Sequence, residues 1–184
     1  MNDHKGFFAM MARMKYIERW ALMRNSVSEN ICEHSLEVAM LAHGLGIIGR
    51  KRFGKDLSPE RLAMLGMYHD CTEIITGDMP TPVKYANDEL KEAYKAIEDS
   101  AAHRLLEMLP EDLRAEYESY FLPEQITPEE YRYVKAADKL SALIKCIEEE
   151  KTGNQEFRSA KQATYESLQQ MNMPEVTVFC EVFS

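Results

Sequence analysis

The chain has 184 residues, 45% of them hydrophobic and 29% charged, with 22 basic against 31 acidic residues and a formal net charge of −9. That size and composition predict one soluble globular domain covering residues 1–184, and an acidic balance argues against a non-specific binder of DNA or RNA polymers. No apolar run approaches the roughly 20 residues of a membrane span, and the start of the chain lacks a signal-peptide pattern, so the expected location is the cytoplasm.

The pattern is helical almost throughout. Phe7, Met10, Met11, Met14 and Ile17 recur at helical spacing and predict a first helix from about His4 to Arg19 or Trp20. Asn30 followed by Glu33 resembles a capping box that opens a second helix reaching about Arg50. Ser58, with Pro59 at the first helical position, opens a third helix ending near Gly77. The two prolines of Asp78-Met79-Pro80-Thr81-Pro82 exclude that segment from a helix interior. A fourth helix is expected from about Asp88 to Leu109, a fifth over Glu111 to Phe121, a sixth from the Thr127-Pro128 cap to Lys151, and a seventh over Gln155 to Met171. The tail from Glu175 to Phe183 fits either periodicity, and Pro174 at its start favours helix. The expected fold class is therefore all-α, with about seven or eight helices.

Two of the five histidines fall in the segments Glu33-His34 and His69-Asp70-Cys71-Thr72-Glu73. With Asp138 downstream they offer two imidazoles and two carboxylates, a mixed set suited to a first-row divalent metal. His34 shares a helical face with Val38, Leu41 and Leu45 and is expected to point inward, either as a ligand or as a core histidine bonded to backbone. His43 lies about 180° away and is expected in solvent. Leu62, Leu65 and His69 form an inward stripe that Glu73 continues. Buried charge is costly unless paired or metal-bound, so this acidic end is either a metal site or a solvated helix end. Glu73 is placed to handle a proton. Asp138 sits on a helix apolar on both sides, hence central and partly buried. Cys32, Cys71, Cys146 and Cys180 form no Cys-x-x-Cys pair and read as reduced, mostly buried small side chains.

Four further segments extend the pattern: Glu18-Arg19-Trp20-Ala21-Leu22-Met23-Arg24-Asn25, Glu29-Asn30-Ile31-Cys32-Glu33-His34, Thr76-Gly77-Asp78-Met79-Pro80-Thr81-Pro82-Val83-Lys84-Tyr85 and Val134-Lys135-Ala136-Ala137-Asp138-Lys139-Leu140. Together with the His-Asp pair they resemble the bacterial 5′-deoxynucleotidases of the HD-domain metal-dependent phosphohydrolases. The resemblance implies a single HD-type helical bundle and a homodimer that hydrolyses deoxyribonucleoside 5′-monophosphates. It implies a divalent cation such as cobalt, manganese or zinc on His34, His69, Asp70 and Asp138, and Glu73 as the catalytic carboxylate. Arg19, Trp20, Asp78, Met79, Pro80 and Thr81 match substrate-binding positions, as do Asp70 and Asp138. Another nucleotide phosphohydrolase activity on this fold, such as a triphosphohydrolase or cyclic-nucleotide phosphodiesterase, is the first alternative. A nucleotide-binding regulatory module without turnover is the second.

Overall fold

The computed structural model describes residues 6–84 and 86–183. Its helices are α1 (Phe7–Met11), α2 (Ile31–Phe53), α3 (Pro59–Tyr68), α4 (Glu73–Thr76), α5 (Thr81–Lys84), α6 (Asp88–Leu106), α7 (Glu111–Phe121), α8 (Pro128–Lys151), α9 (Arg158–Gln170) and α10 (Pro174–Phe183). Short 3-10 turns precede α8 and α9 and follow α1. Among the described residues there is no β-strand, only an isolated antiparallel bridge between Glu18 and Asn30. The all-α expectation holds, and the tail is helical as Pro174 suggested.

The long helices start where the caps are. Asn30 Oδ1 accepts from the amides of Cys32 (3.0 Å) and Glu33 (3.1 Å) at the head of α2. Thr127 and Glu130 complete a reciprocal capping box on α8, and Asn87 Oδ1 accepts from the Leu90 amide at 2.7 Å on α6. Each satisfies amides that a first helical turn leaves without partners.

Two expectations about helices fail. The first helix does not continue to Trp20: α1 ends at Met11, a 3-10 turn covers Ala12–Tyr16, and Ile17 is extended. There the backbone bonds across to another segment instead, Arg19 N to Glu29 O and Ile31 N to Ile17 O, both 2.9 Å. The expected start of that helix at His4 lies outside the described residues, as does Tyr85 of the turn motif. The third helix is not continuous to Gly77. It ends at Tyr68, and i→i+3 bonds such as Cys71 N to Tyr68 O (3.1 Å) and Glu73 N to Asp70 O (3.0 Å) tighten residues 69–72 into a turn before α4. The proline segment stays out of a helix interior, as expected: Thr81 and Pro82 open the one-turn α5, where a missing amide costs nothing.

The chain forms two compact units. One comprises residues up to Arg24, Ser28–Glu33 and Tyr68–Ile126. Its core includes Phe7, Met14, Ile31, Cys71, Ile74, Leu105, Leu106 and Phe121, with Tyr68 and Tyr117 packed on Phe121 and Phe7. The other comprises Asn25–Val27, His34–Met67 and Thr127–Ser184. Val38, Leu45, Leu62, Leu65, Tyr133, Leu140, Phe157 and Leu168 are buried in it. Gly66 of α3 lies against the α2 backbone: a Cβ there would stand 3.0 Å from Ala39 Cα. The buried pair Lys145–Glu149 is a second tie within this unit. Glu149 accepts from Lys145 Nζ (2.5 Å), the Ser26 amide (2.8 Å) and Asn154 Nδ2 (2.8 Å).

By length and composition α2 is apolar enough to cross a membrane, contrary to the expectation that no run is. Half of that window is buried within the protein, where Val38, Ala42 and Leu45 have no exposure. The same test is met by core helices of globular proteins.

Candidate metal centre and active site

His34 enters on the first turn of α2 and is fully buried. Its Nδ1 lies 2.9 Å from Ser141 Oγ on α8, and the Ser141 hydroxyl donates to Glu37 Oε2 at 2.5 Å. A hydroxyl has one proton, and an ionised carboxylate can only accept it. Ser141 Oγ therefore accepts from Nδ1–H, and the His34 lone pair sits on Nε2. That atom faces Asp138 Oδ1 at 3.3 Å. Two acceptors at this distance suit a cation between them, and holding the remote imidazole nitrogen by a hydrogen bond is the usual way a metal-binding histidine is oriented. Asp138 is partly buried, as expected, and its other oxygen lies 3.3 Å from Lys135 Nζ. His43 is partly buried rather than fully in solvent.

In the other unit, the tight turn after α3 places His69 Nε2 3.0 Å from Asp70 Oδ2. This is a second imidazole–carboxylate pair of the same kind. His69 and Asp70 in this unit, like His34 in the other, offer ligand atoms of metal-binding type. The donor chemistry fits a first-row divalent cation.

Glu73 opens α4 and is buried, and its Oε2 has no hydrogen-bond partner among the described residues. Burial, reinforced by the Asp70 and Asp78 carboxylates, pushes its pKa up to about 10, while Arg19 and Lys84 pull it back. Burial thus favours the protonated carboxyl, and a nearby cation would pull the pKa back down. Cys71 beside it is buried, and burial pushes its thiol well up, which leaves it a packing group and no nucleophile.

Arg19 and Trp20 sit where the chain from Ile17 pairs with the approach to α2. Both reach one carboxylate oxygen: Arg19 Nη1 and Trp20 Nε1 donate to Glu29 Oε2 at 2.5 and 2.9 Å. Trp20 has a backbone φ of 62°, rare for a bulky residue, and it lies outside the buried core. Arg19 is ion-paired with Glu29, its side chain 12% exposed. Asp78, Met79 and Pro80 form an irregular, partly buried segment, followed by the exposed Thr81. Gly77, with φ of 74°, turns the chain into it, and the Tyr94 hydroxyl lies 3.2 Å from the Gly77 carbonyl.

Over residues 6–184 the sequence matches the family described as 5′-deoxynucleotidase YfbR-like. The chain belongs to that family. A 5′-deoxynucleotidase of Vibrio cholerae is 48% identical over 178 residues, covering 97% of this chain and 92% of that protein. 5′-Deoxynucleotidase YfbR of Shigella boydii is 46% identical, covering 96% and 89%. Among solved structures, an HD-domain phosphohydrolase from Listeria innocua superposes with a TM-score of 0.83 at 23% identity, covering 96% of this chain and 85% of its own. A cyanophage S-2L HD phosphohydrolase bound to dA and one catalytic zinc ion gives a TM-score of 0.63 at 23% identity, covering 91% and 88%. These likenesses establish the HD-domain fold.

Within this YfbR-like member, four supporting residues escaped the sequence reading: Glu29, Glu37, Tyr94 and Ser141. Glu37 and Ser141 each lie one helical turn from a recognised position, His34 and Asp138, and they meet only when the fold pairs α2 with α8. Tyr94 had no signal beyond its helical spacing. Glu29 lay inside a recognised segment, and its acidic side chain four residues before the Glu33-His34 pair was the available clue.

Proposed function

We propose that this protein hydrolyses deoxyribonucleoside 5′-monophosphates to deoxynucleoside and phosphate, with one divalent metal on His34, His69, Asp70 and Asp138. The observation that carries the reading is the repeated imidazole–carboxylate pairing, His34 with Asp138 at 3.3 Å and His69 with Asp70 at 3.0 Å, in a chain of the YfbR-like family. The names of the relatives and the zinc and dA of the phage neighbour support it.

When bound, such a metal polarises a phosphoryl oxygen and makes a coordinated water acidic. The chain's own groups do the rest. Arg19 offers a guanidinium to the phosphate oxygens. Glu73, a buried carboxyl, can donate a proton to the leaving 5′ oxygen when protonated or accept one from water when ionised. Trp20 and the Asp78-Met79-Pro80-Thr81 segment surround the sugar, with Trp20 limiting space at the 2′ position, so ribonucleotides react poorly. Cobalt, manganese and zinc all suit the donor set.

The chain is proposed to act as a single cytoplasmic domain, supported by the family match across 6–184. A homodimer is proposed as well, because Leu36 and Met40, one turn apart on α2, are 55% and 61% exposed. The test is phosphate release from dAMP, dTMP, dUMP and dCMP beside AMP, UMP, dATP and a cyclic nucleotide, using metal-stripped protein refilled with cobalt, manganese, magnesium or zinc. Turnover of several dNMPs with little on AMP is expected. Equal rates on AMP and dAMP overturn the sugar selection, and no turnover of any dNMP overturns the function.

A further inference from the structure

We infer that Glu29 is a positioning residue that sets the geometry of both substrate-facing groups, Arg19 and Trp20; the inference rests on the proposed function. A single oxygen, Oε2, receives the Arg19 guanidinium at 2.5 Å and the Trp20 indole N–H at 2.9 Å. The side chains of Arg19 and Glu29 are each 12% exposed, so the pair is largely withdrawn from solvent and its hydrogen bonds are charge-assisted. The guanidinium carbon also stands 5.5 Å from the Trp20 ring, which ties the two donors to each other.

The backbone supports the same role. The Arg19 amide donates to the Glu29 carbonyl at 2.9 Å, so residue 29 grips residue 19 through both main chain and side chain. Trp20, held at a φ of 62°, departs from the conformation its side chain would choose. The Met23 amide donating to the Trp20 carbonyl at 2.9 Å closes the turn. A bulky residue stays in this region only where its surroundings over-determine it, and the Glu29 carboxylate supplies the side-chain part of that constraint. The guanidinium, gripped through Nη1, is directed by Glu29, and the indole plane is fixed by its N–H.

Trp20 is the only tryptophan in the chain, so intrinsic fluorescence reports this site alone. The experiment compares wild type, Glu29→Ala and Glu29→Gln by steady-state kinetics on dAMP and AMP, metal content, Trp20 emission and acrylamide quenching. Loss of a charge-assisted contact predicts a fall of about 10- to 100-fold in kcat/KM on dAMP for Glu29→Ala, with full metal occupancy. Its dAMP-to-AMP ratio narrows and its Trp20 emission becomes more quenchable. Glu29→Gln, which keeps an acceptor for the indole but loses the charge, restores the wild-type emission and only part of the kcat/KM.

If Glu29→Ala does not fold, Glu29→Gln carries the test through the split between emission and kcat/KM. Kinetics and sugar ratio within about twofold of wild type, with unchanged emission, overturn the inference. So does a lowered melting temperature accompanied by unchanged sugar ratio and quenching, which marks a purely structural residue. If wild type turns over no dNMP, the proposed function fails, while the emission and quenching of the two variants still decide whether Glu29 holds Trp20.

Discussion

Glu149→Gln is the most demanding perturbation of the fold. The carboxylate is 1% exposed and its partner Lys145 7% exposed. It accepts from Lys145 Nζ at 2.5 Å, from Ser26 N at 2.8 Å, from Val27 N at 3.2 Å and from Asn154 Nδ2 at 2.8 Å. Lys145 Nζ also donates to Val27 O at 2.5 Å. Glutamine preserves the shape, but its amide nitrogen must face donors, and the buried ammonium loses its counter-charge. Breaking a buried, hydrogen-bonded ion pair from one side costs about 3–5 kcal/mol. For a chain of this length, at about 2–4 °C per kcal/mol, the melting temperature should fall by roughly 6–20 °C at neutral pH.

The pH dependence gives a second reading of the same network. Although burial alone would raise it, the hydrogen bonds from Lys145, the Ser26 amide and Asn154 hold the folded Glu149 carboxyl well below the usual carboxylate range. A depressed folded pKa stabilises the fold above the unfolded value, about 4.3 for a glutamate, and that stability is lost as pH falls through the folded pKa. The gap between wild type and Glu149→Gln should therefore be full near pH 7 and begin to close below about pH 4.5. Calorimetric melts of both proteins across this range measure it. A shift under about 2 °C at neutral pH, equivalent to less than about 1 kcal/mol for a chain of this length, would refute the reasoning, as would a gap that does not narrow in acid.

Other outcomes follow from the candidate ligands and from the packing. Ser141→Ala removes the group that orients His34 and should weaken metal affinity by about 10- to 100-fold, read by equilibrium dialysis with zinc or manganese; unchanged affinity would count against the Glu37–Ser141–His34 chain. Elemental analysis of His69→Ala and Asp138→Ala should show metal loss, and full occupancy in both would sink the ligand assignment. Glu73→Ala should retain metal yet lose turnover by about 100-fold or more, and near-normal turnover would make Glu73 structural. Gly66→Val should lower stability by about 1–3 kcal/mol in urea unfolding, because its Cβ would meet the α2 backbone at Ala39, where no flexible side chain can yield.

What the sequence determined by itself was local or chemical in kind. The starts of α2, α3 and α8 were legible because Asn30, Ser58 and Thr127 with their neighbours satisfy orphaned amides within three residues of chain. The buried stripe of Val38, Leu41 and Leu45 was legible because helical period alone places it. His34, His69, Asp70, Glu73 and Asp138 could be named as candidates from sequence because their imidazoles and carboxylates fall on apolar helical stripes, where buried charge needs a partner. Tertiary structure decided the rest, by contacts between residues far apart in sequence. Helical period carried the first helix on to Trp20, but hydrogen bonds to the 29–31 segment draw the chain out of helix. The third helix breaks at Tyr68, and that break, rather than an unbroken stripe, sets His69 against Asp70. Ser141 meets His34 across 107 positions, and Glu149 meets Ser26 across 123. Such pairings follow from which surfaces bury together, and periodicity along one segment holds no record of the partner it will meet.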